Sequence, residues 1–146
     1  MFRNLINKLK SILDANSLIQ VVYTYERENP DGTPFATITP SANENDYLTT
    51  TENRRVYAFT IRIFVERKGQ TTVEGTEQTM RDLMDTVLDD LDSNHQLSGL
   101  SIPSGYTFLF MEAVPSRWAY TGSRENEYRV AEIAVRCHVM VDVNNI

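Results

Sequence analysis

From Tyr57 to Glu66 the chain alternates with a period of two. Tyr57, Phe59, Ile61, Ile63 and Val65 fall on one side, and Ala58, Thr60, Arg62 and Glu66 on the other, the pattern of a half-buried strand. Phe64 is the single large apolar residue on the polar side. A second run is clearer still: Ala131, Ile133, Val135, Cys137, Val139 and Val141 alternate with Glu132, Arg136, His138 and Asp142. Burying its larger aliphatic side chains is worth roughly 1.5–3 kcal/mol each, enough to fix its register against a one-residue slip, which would turn all of them to water.

Two segments have the helical period instead. Phe2, Leu5, Ile6, Leu9, Ile12 and Leu13 recur at spacings of three and four between Arg3, Lys8, Lys10 and Asp14, which predicts an amphipathic helix ended by Asn16 and Ser17. Met80, Leu83, Met84, Val87, Leu88 and Leu91 form a second stripe, opposite Arg81, Asp82, Asp85, Asp89 and Asp92. Thr71 and Glu74 offer a capping box at the start of this helix.

Shorter elements fill the gaps. Residues 21–25, VVYTY, read as a strand closed by the turn formers Asn29, Pro30, Asp31 and Gly32. Residues 35–39 read as another, and its bracketing prolines, Pro34 and Pro40, place it at a sheet edge because proline has no N–H to donate. Residues 41–53, SANENDYLTTTEN, follow neither period and are expected to form a long polar loop of the kind that carries function. Residues 106–114 predict a strand, and 116–127 a long turn into the last one. The order is α-β-β-β-α-β-β. It predicts a single α+β domain in which a largely antiparallel sheet carries both helices on one face.

A chain of 146 residues is the usual size of one domain and can bury one core. With 41% hydrophobic and 23% charged residues it is not a disordered chain, and no apolar run approaches the ~18 residues of a membrane span. Lys8 and Lys10 interrupt the apolar residues near the N-terminus, so a secretory signal is not expected. The net charge of −6 argues against a general binder of phosphate backbones, which needs clustered Lys and Arg. Cys137 is the only cysteine, so neither an intrachain disulfide nor a cysteine zinc cluster can form, as suits a reducing cytosol.

Candidate chemistry is sparse. The row Asp82, Asp85, Asp89, Asp92, with Asp90, shares a helix face and could be imagined around a divalent cation, but it lacks the loop of alternating oxygen ligands that such sites use; a solvated face explains the same spacing. Carboxylates near a helix C-terminus oppose its dipole by a few tenths to about 1 kcal/mol each, so something other than helix stability favours them. His95 is expected beside the last carbonyls of that helix. His138, separated from it by two strands in this reading, does not form a catalytic pair with it. Cys137 falls among apolar positions and is expected to be a buried, inert thiol. Arg117, Trp118, Tyr120 and Arg124 in the expected turn are of the residue types enriched at binding hot spots. Phosphate loops, HExxH, CxxC and kinase signatures are all absent from the sequence.

The amphipathic helix before VVYTYE, the segment PFATITPSANENDY, the strand RVYAFTIRIFVER, the helix EQTMRDLMDTVLDDLD and the closing strand YRVAEIAVRCHVMVD resemble, in order and spacing, the tail-terminator proteins of long-tailed bacteriophages, also called tail-completion or minor tail U-like proteins. The resemblance spans nearly the whole chain. It implies a structural virion protein and not an enzyme: a hexameric ring that caps the tail tube, docks on the major tail-tube protein and joins a head-tail connector. Assembly would take place in the host cytoplasm, with no cofactor, no metal and no membrane, and the product would sit at the head-proximal end of the tail. In that picture the loop residues Asn43, Glu44, Asp46 and Tyr47 and the turn residues Arg117, Trp118, Tyr120 and Arg124 make the ring and partner contacts, an assignment that rests on their loop positions. Asp82, Asp85, Asp89 and Asp92 would face the lumen, where like charge lets DNA pass without sticking. Another neck or head-completion component is the alternative within the same assembly. A small metal-dependent enzyme using the aspartate row is the alternative from another class.

Overall fold

The protein is described by a computed structural model, which covers residues 1–26, 30, 32–67, 73–122 and 127–145. Eight elements follow in order: α1 (Phe2–Asp14), β1 (Val21–Tyr23), β2 (Phe35–Pro40), β3 (Glu44–Tyr47), β4 (Glu52–Glu66), α2 (Val73–Ser93), β5 (Tyr106–Gly122) and β6 (Glu127–Asp142). The strands form one sheet in the order β1-β2-β4-β6-β5, with β3 also paired to β4. Among the described residues only β1 and β2 run parallel. The fold is therefore α+β, as the hydrophobic pattern predicts.

The two alternating runs are direct neighbours. β4 and β6 pair over their whole length, setting Tyr57 opposite Cys137, Phe59 opposite Val135, Ile61 opposite Ile133 and Ile63 opposite Ala131. Both helices cover this face. Leu5, Leu9, Ile12 and Leu13 of α1 and Met80, Leu83, Met84, Val87 and Leu91 of α2 complete a single core with these strand residues. Phe2 rests edge-on against Tyr57, 4.8 Å away, and so closes the core at the start of α1. The other side of the sheet carries no helix. Phe64, the odd apolar residue of β4, lies there in a stack with Phe35 at 4.5 Å, and Tyr128 packs edge-on against both rings.

Four expectations are corrected. Residues 41–53 are not one loop: 44–47 form β3, a hairpin partner of β4 over Asn53–Val56. No hydrophobic period marks this strand because it overhangs the core, with Glu44, Asn45 and Tyr47 all exposed, so its backbone ladder alone defines it. The turn is closed by the Thr49 hydroxyl, which accepts from the N–H groups of Thr51 and Glu52 at 3.2 and 3.0 Å. β2 is not the sheet edge, since β1 covers its first half; Pro40 is tolerated as its last residue. β5 does not end at Val114 but continues to Gly122, so Arg117, Trp118 and Tyr120 sit on a strand and not in a turn. Pro115 suggests a stop but is compatible with an outermost strand, where one edge needs no donor. Finally, β1 ends at Tyr23, two residues short of the expected end. Thr71 of the anticipated capping box lies outside the described residues.

Candidate assembly surface

β5 is the outermost strand on its side of the sheet, 17 residues long, and it carries an unusual density of exposed large side chains. Leu109, Phe110, Val114, Trp118 and Tyr120 are each exposed by 39–54%. Tyr47 and Leu48, at the tip of the β3–β4 hairpin, are exposed by 67% and 51%. The two groups lie at opposite edges of the sheet. Register shifts between Phe108 and Phe110 and between Pro115 and Arg117 interrupt the β5 ladder, as bulges commonly do on outer strands.

Trp118 and Tyr120 belong to the helix side, because they stand opposite Ala131 and Arg129 of β6. The Arg129 guanidinium lies over both rings, 5.4 Å from Trp118 and 4.7 Å from Tyr120. It is anchored by Glu77 of α2: Nη2 donates to Oε1 at 3.2 Å, while Nε lies 2.7 Å from Oε2 as an ion pair without hydrogen-bond alignment. Nη1 donates to the Ala119 carbonyl at 3.1 Å. A mostly buried arginine thus ties the start of α2 to the outer strand and holds two aromatic rings in place while leaving them partly exposed.

The helix-free side is polar in a different way. Arg62 on β4 donates through Nε to Glu132 at 3.0 Å and through Nη1 to Glu26, and these bonds hold its guanidinium above its ordinary pKa. Glu26, Arg62, Glu132, Arg117, Phe64 and Val130 line part of a shallow depression of about 360 Å³. Arg136 pairs with Glu44 of β3 at 2.7 Å, an exposed bridge worth little by itself. The Arg117 side chain makes no ion pair or hydrogen bond with any described residue.

His138 is buried on this same side, its ring stacked under Phe110 at 4.2 Å and 16°. Glu112 Oε1 lies 3.4 Å from Nε2 without hydrogen-bond alignment, and neither ring nitrogen has a hydrogen-bond partner. Desolvation lowers its pKa; Arg54 and Arg136 act in the same direction, and Glu112 opposes them. The unfolded chain, with histidine near its ordinary ~6.5, therefore binds more protons than the folded one in the interval below that value. Stability is expected to fall as pH drops through ~6.5 toward the lowered folded value. Thermal melts from pH 7.5 to 5 should show a steeper loss in the wild type than in His138→Leu; identical slopes would mean that His138 does not titrate on unfolding.

The remaining candidates are placed as follows. Asp82, Asp85, Asp89 and Asp92 are all exposed on the outer face of α2. Asp90 turns instead toward α1 and accepts from Asn16 Nδ2 at 2.9 Å. No group of three or more His, Cys, Asp or Glu side chains with metal-site geometry occurs among the described residues. His95 Nδ1 lies 3.0 Å from the Asp92 carbonyl, at the helix end where it was expected. It is not two strands from His138: the Met111 N–H of β5 donates to the His95 carbonyl at 2.9 Å, and His138 pairs with the adjacent Phe110. Cys137 is fully buried and desolvation pushes its thiol up to about 12, so it is inert. Asn43 contributes locally, its Oδ1 accepting from the Ala58 N–H at 3.4 Å. Arg124 lies outside the described residues, as does the side chain of Asp46.

The structure thus brings Arg117, Trp118 and Tyr120 together on one edge and Asn43, Glu44 and Tyr47 on the far side. Sequence reasoning missed Arg129, Glu77 and Phe110. Arg129 interrupts the apolar alternation of β6 on the core side, and that interruption was the available signal. No family model matches the chain, and no curated protein matches it.

Proposed function

We propose that this chain is a structural assembly protein, a tail-terminator-type subunit that forms a closed ring on the end of a phage tail tube and joins it to the head-neck connector. The observation that carries this reading is the 17-residue outer strand β5 with its five exposed large hydrophobic residues. Exposed apolar edges of this kind are aggregation hazards unless a partner covers them. The resemblance of the chain in element order to tail terminators supplies the kind of partner: identical subunits in a hexamer, with tail-tube and connector proteins above and below. A ring of identical subunits needs two different complementary patches on each copy, and the sheet offers exposed residues on both of its sides. In that ring the acidic outer face of α2 gives DNA a surface without phosphate contacts. The work is binding, without a chemical step.

Imaging and mass measurement test the proposal together. Mass photometry of the purified chain at rising concentration, and negative-stain images of tails from particles that carry its gene, should show a closed ring containing this chain at the head-proximal end. Tails whose ends bear no such ring would defeat the terminator assignment even with the fold intact.

A further inference from the structure

The free edge of β5 is not uniformly available. The outward N–H of Met111 is already bonded to the His95 carbonyl. In an antiparallel ladder backbone groups alternate between the two sides of a strand, so Ala113 and Pro115 turn outward with Met111, and Pro115 has no N–H to offer. Among the described residues the continuous stretch left for a further strand is therefore 117–122. It is too short to receive the whole of a second β5, but it fits a strand of about four residues.

The same sheet carries such a strand at its opposite side. Among the described residues β3 spans four residues, pairs on one side only, with β4, and leads into a turn where Tyr47 and Leu48 are exposed by 67% and 51%. The faces also agree. Tyr47 stands opposite Asn53 on the helix side of the sheet, the side on which Trp118 and Tyr120 lie. The other outer strand, β1, has three residues and no exposed large apolar side chain within it.

The geometry points to strand addition between copies: β3 of one subunit pairs with residues 117–122 of the next, placing Tyr47 against Trp118 and Tyr120. Because donor and acceptor edges lie on opposite sides of one sheet, the contact is head-to-tail and repeats from copy to copy until it closes. This inference rests on the ring reading and names the surface that would build the ring.

Paired cysteines test it, since the only native thiol is buried and unreactive. The full-length chain carrying both Tyr47→Cys and Trp118→Cys, oxidised at a concentration where rings are seen, should give a non-reducing ladder of multimers that runs beyond the dimer. Each single variant should give no ladder. A second pair, Leu48→Cys with Thr121→Cys, both at exposed positions, covers the case in which loss of the indole harms folding. Rings visible by imaging without a ladder from either pair would overturn the strand-addition contact and leave the ring reading standing. A dimer that forms from Trp118→Cys alone and stops at two would overturn it in favour of a symmetric β5 contact. If no ring forms at any concentration or on any tail, the ring reading itself fails and this contact falls with it.

Discussion

Phe59→Ala is expected to destabilise the domain by about 3–5 kcal/mol, a large share of the ~5–15 kcal/mol that holds a typical domain folded. Phe59 is 1% exposed and among the largest fully buried side chains. It stands opposite Val135 on β6 and Pro40 on β2, with the Phe2 ring of α1 6.1 Å away, so removing it opens a cavity where two strands and a helix meet. Neighbours on a paired sheet cannot collapse into that space without giving up ladder hydrogen bonds. Urea denaturation measures the effect directly: the midpoint should fall while the m-value holds, because the surface exposed on unfolding is nearly unchanged. Phe2→Ala is the comparison, since Phe2 is 43% exposed and should cost clearly less. A Phe59→Ala penalty under about 1 kcal/mol would mean that the core is centred elsewhere.

The second large effect concerns association. Trp118→Ala is expected to weaken attachment to neighbouring subunits or to tail tubes by about 2 kcal/mol, roughly thirty-fold, as befits a central aromatic anchor. The indole is 40% exposed, and the Arg129 guanidinium that lies over it keeps Tyr120, Glu77 and the Ala119 carbonyl when the ring is removed. Loss of one cation–π contact costs the monomer about 0.5–1 kcal/mol, so the variant should fold. Co-sedimentation with tubes, set beside a thermal melt of the same sample, separates the two effects. Normal binding by a folded Trp118→Ala protein would remove β5 from the assembly surface; an unfolded variant would make the indole a core residue.

The difference between these two residues lies in their neighbours across the ladder. Phe59 faces strands on both sides and a helix above. Trp118 faces a strand on one side only, because the sheet ends at β5. Similar aromatic surface therefore contributes to folding at one position and stays partly exposed at the other.

Hydrophobic periodicity by itself determined the parts of this protein whose two sides meet different environments. β4 and β6 each put one face on the core and one toward water, so the alternation of Tyr57 to Val65 and of Ala131 to Val141 specifies the strand and its buried face before any neighbour is known. The stripes of α1 and α2 do the same for the helices, and the placement of His95 and the inertness of Cys137 followed from a helix end and an apolar strand face. Tertiary structure decided the elements that lack such contrast. β3 has water on both faces, so no period records it and only its backbone pairing with β4 makes it a strand. Residues 115–122 look like a turn because Pro115, Ser116 and Gly122 are turn formers, yet the long β6 beside them supplies a ladder that outweighs local preference. The same long-range pairing brought Arg129 and Glu77, 52 residues apart in sequence, under Trp118 and Tyr120. It also set the free edges of β3 and β5 on opposite sides of one sheet. Strand order is a property of pairings between distant segments, and a one-dimensional pattern encodes which face each strand buries but not which strand lies beside it.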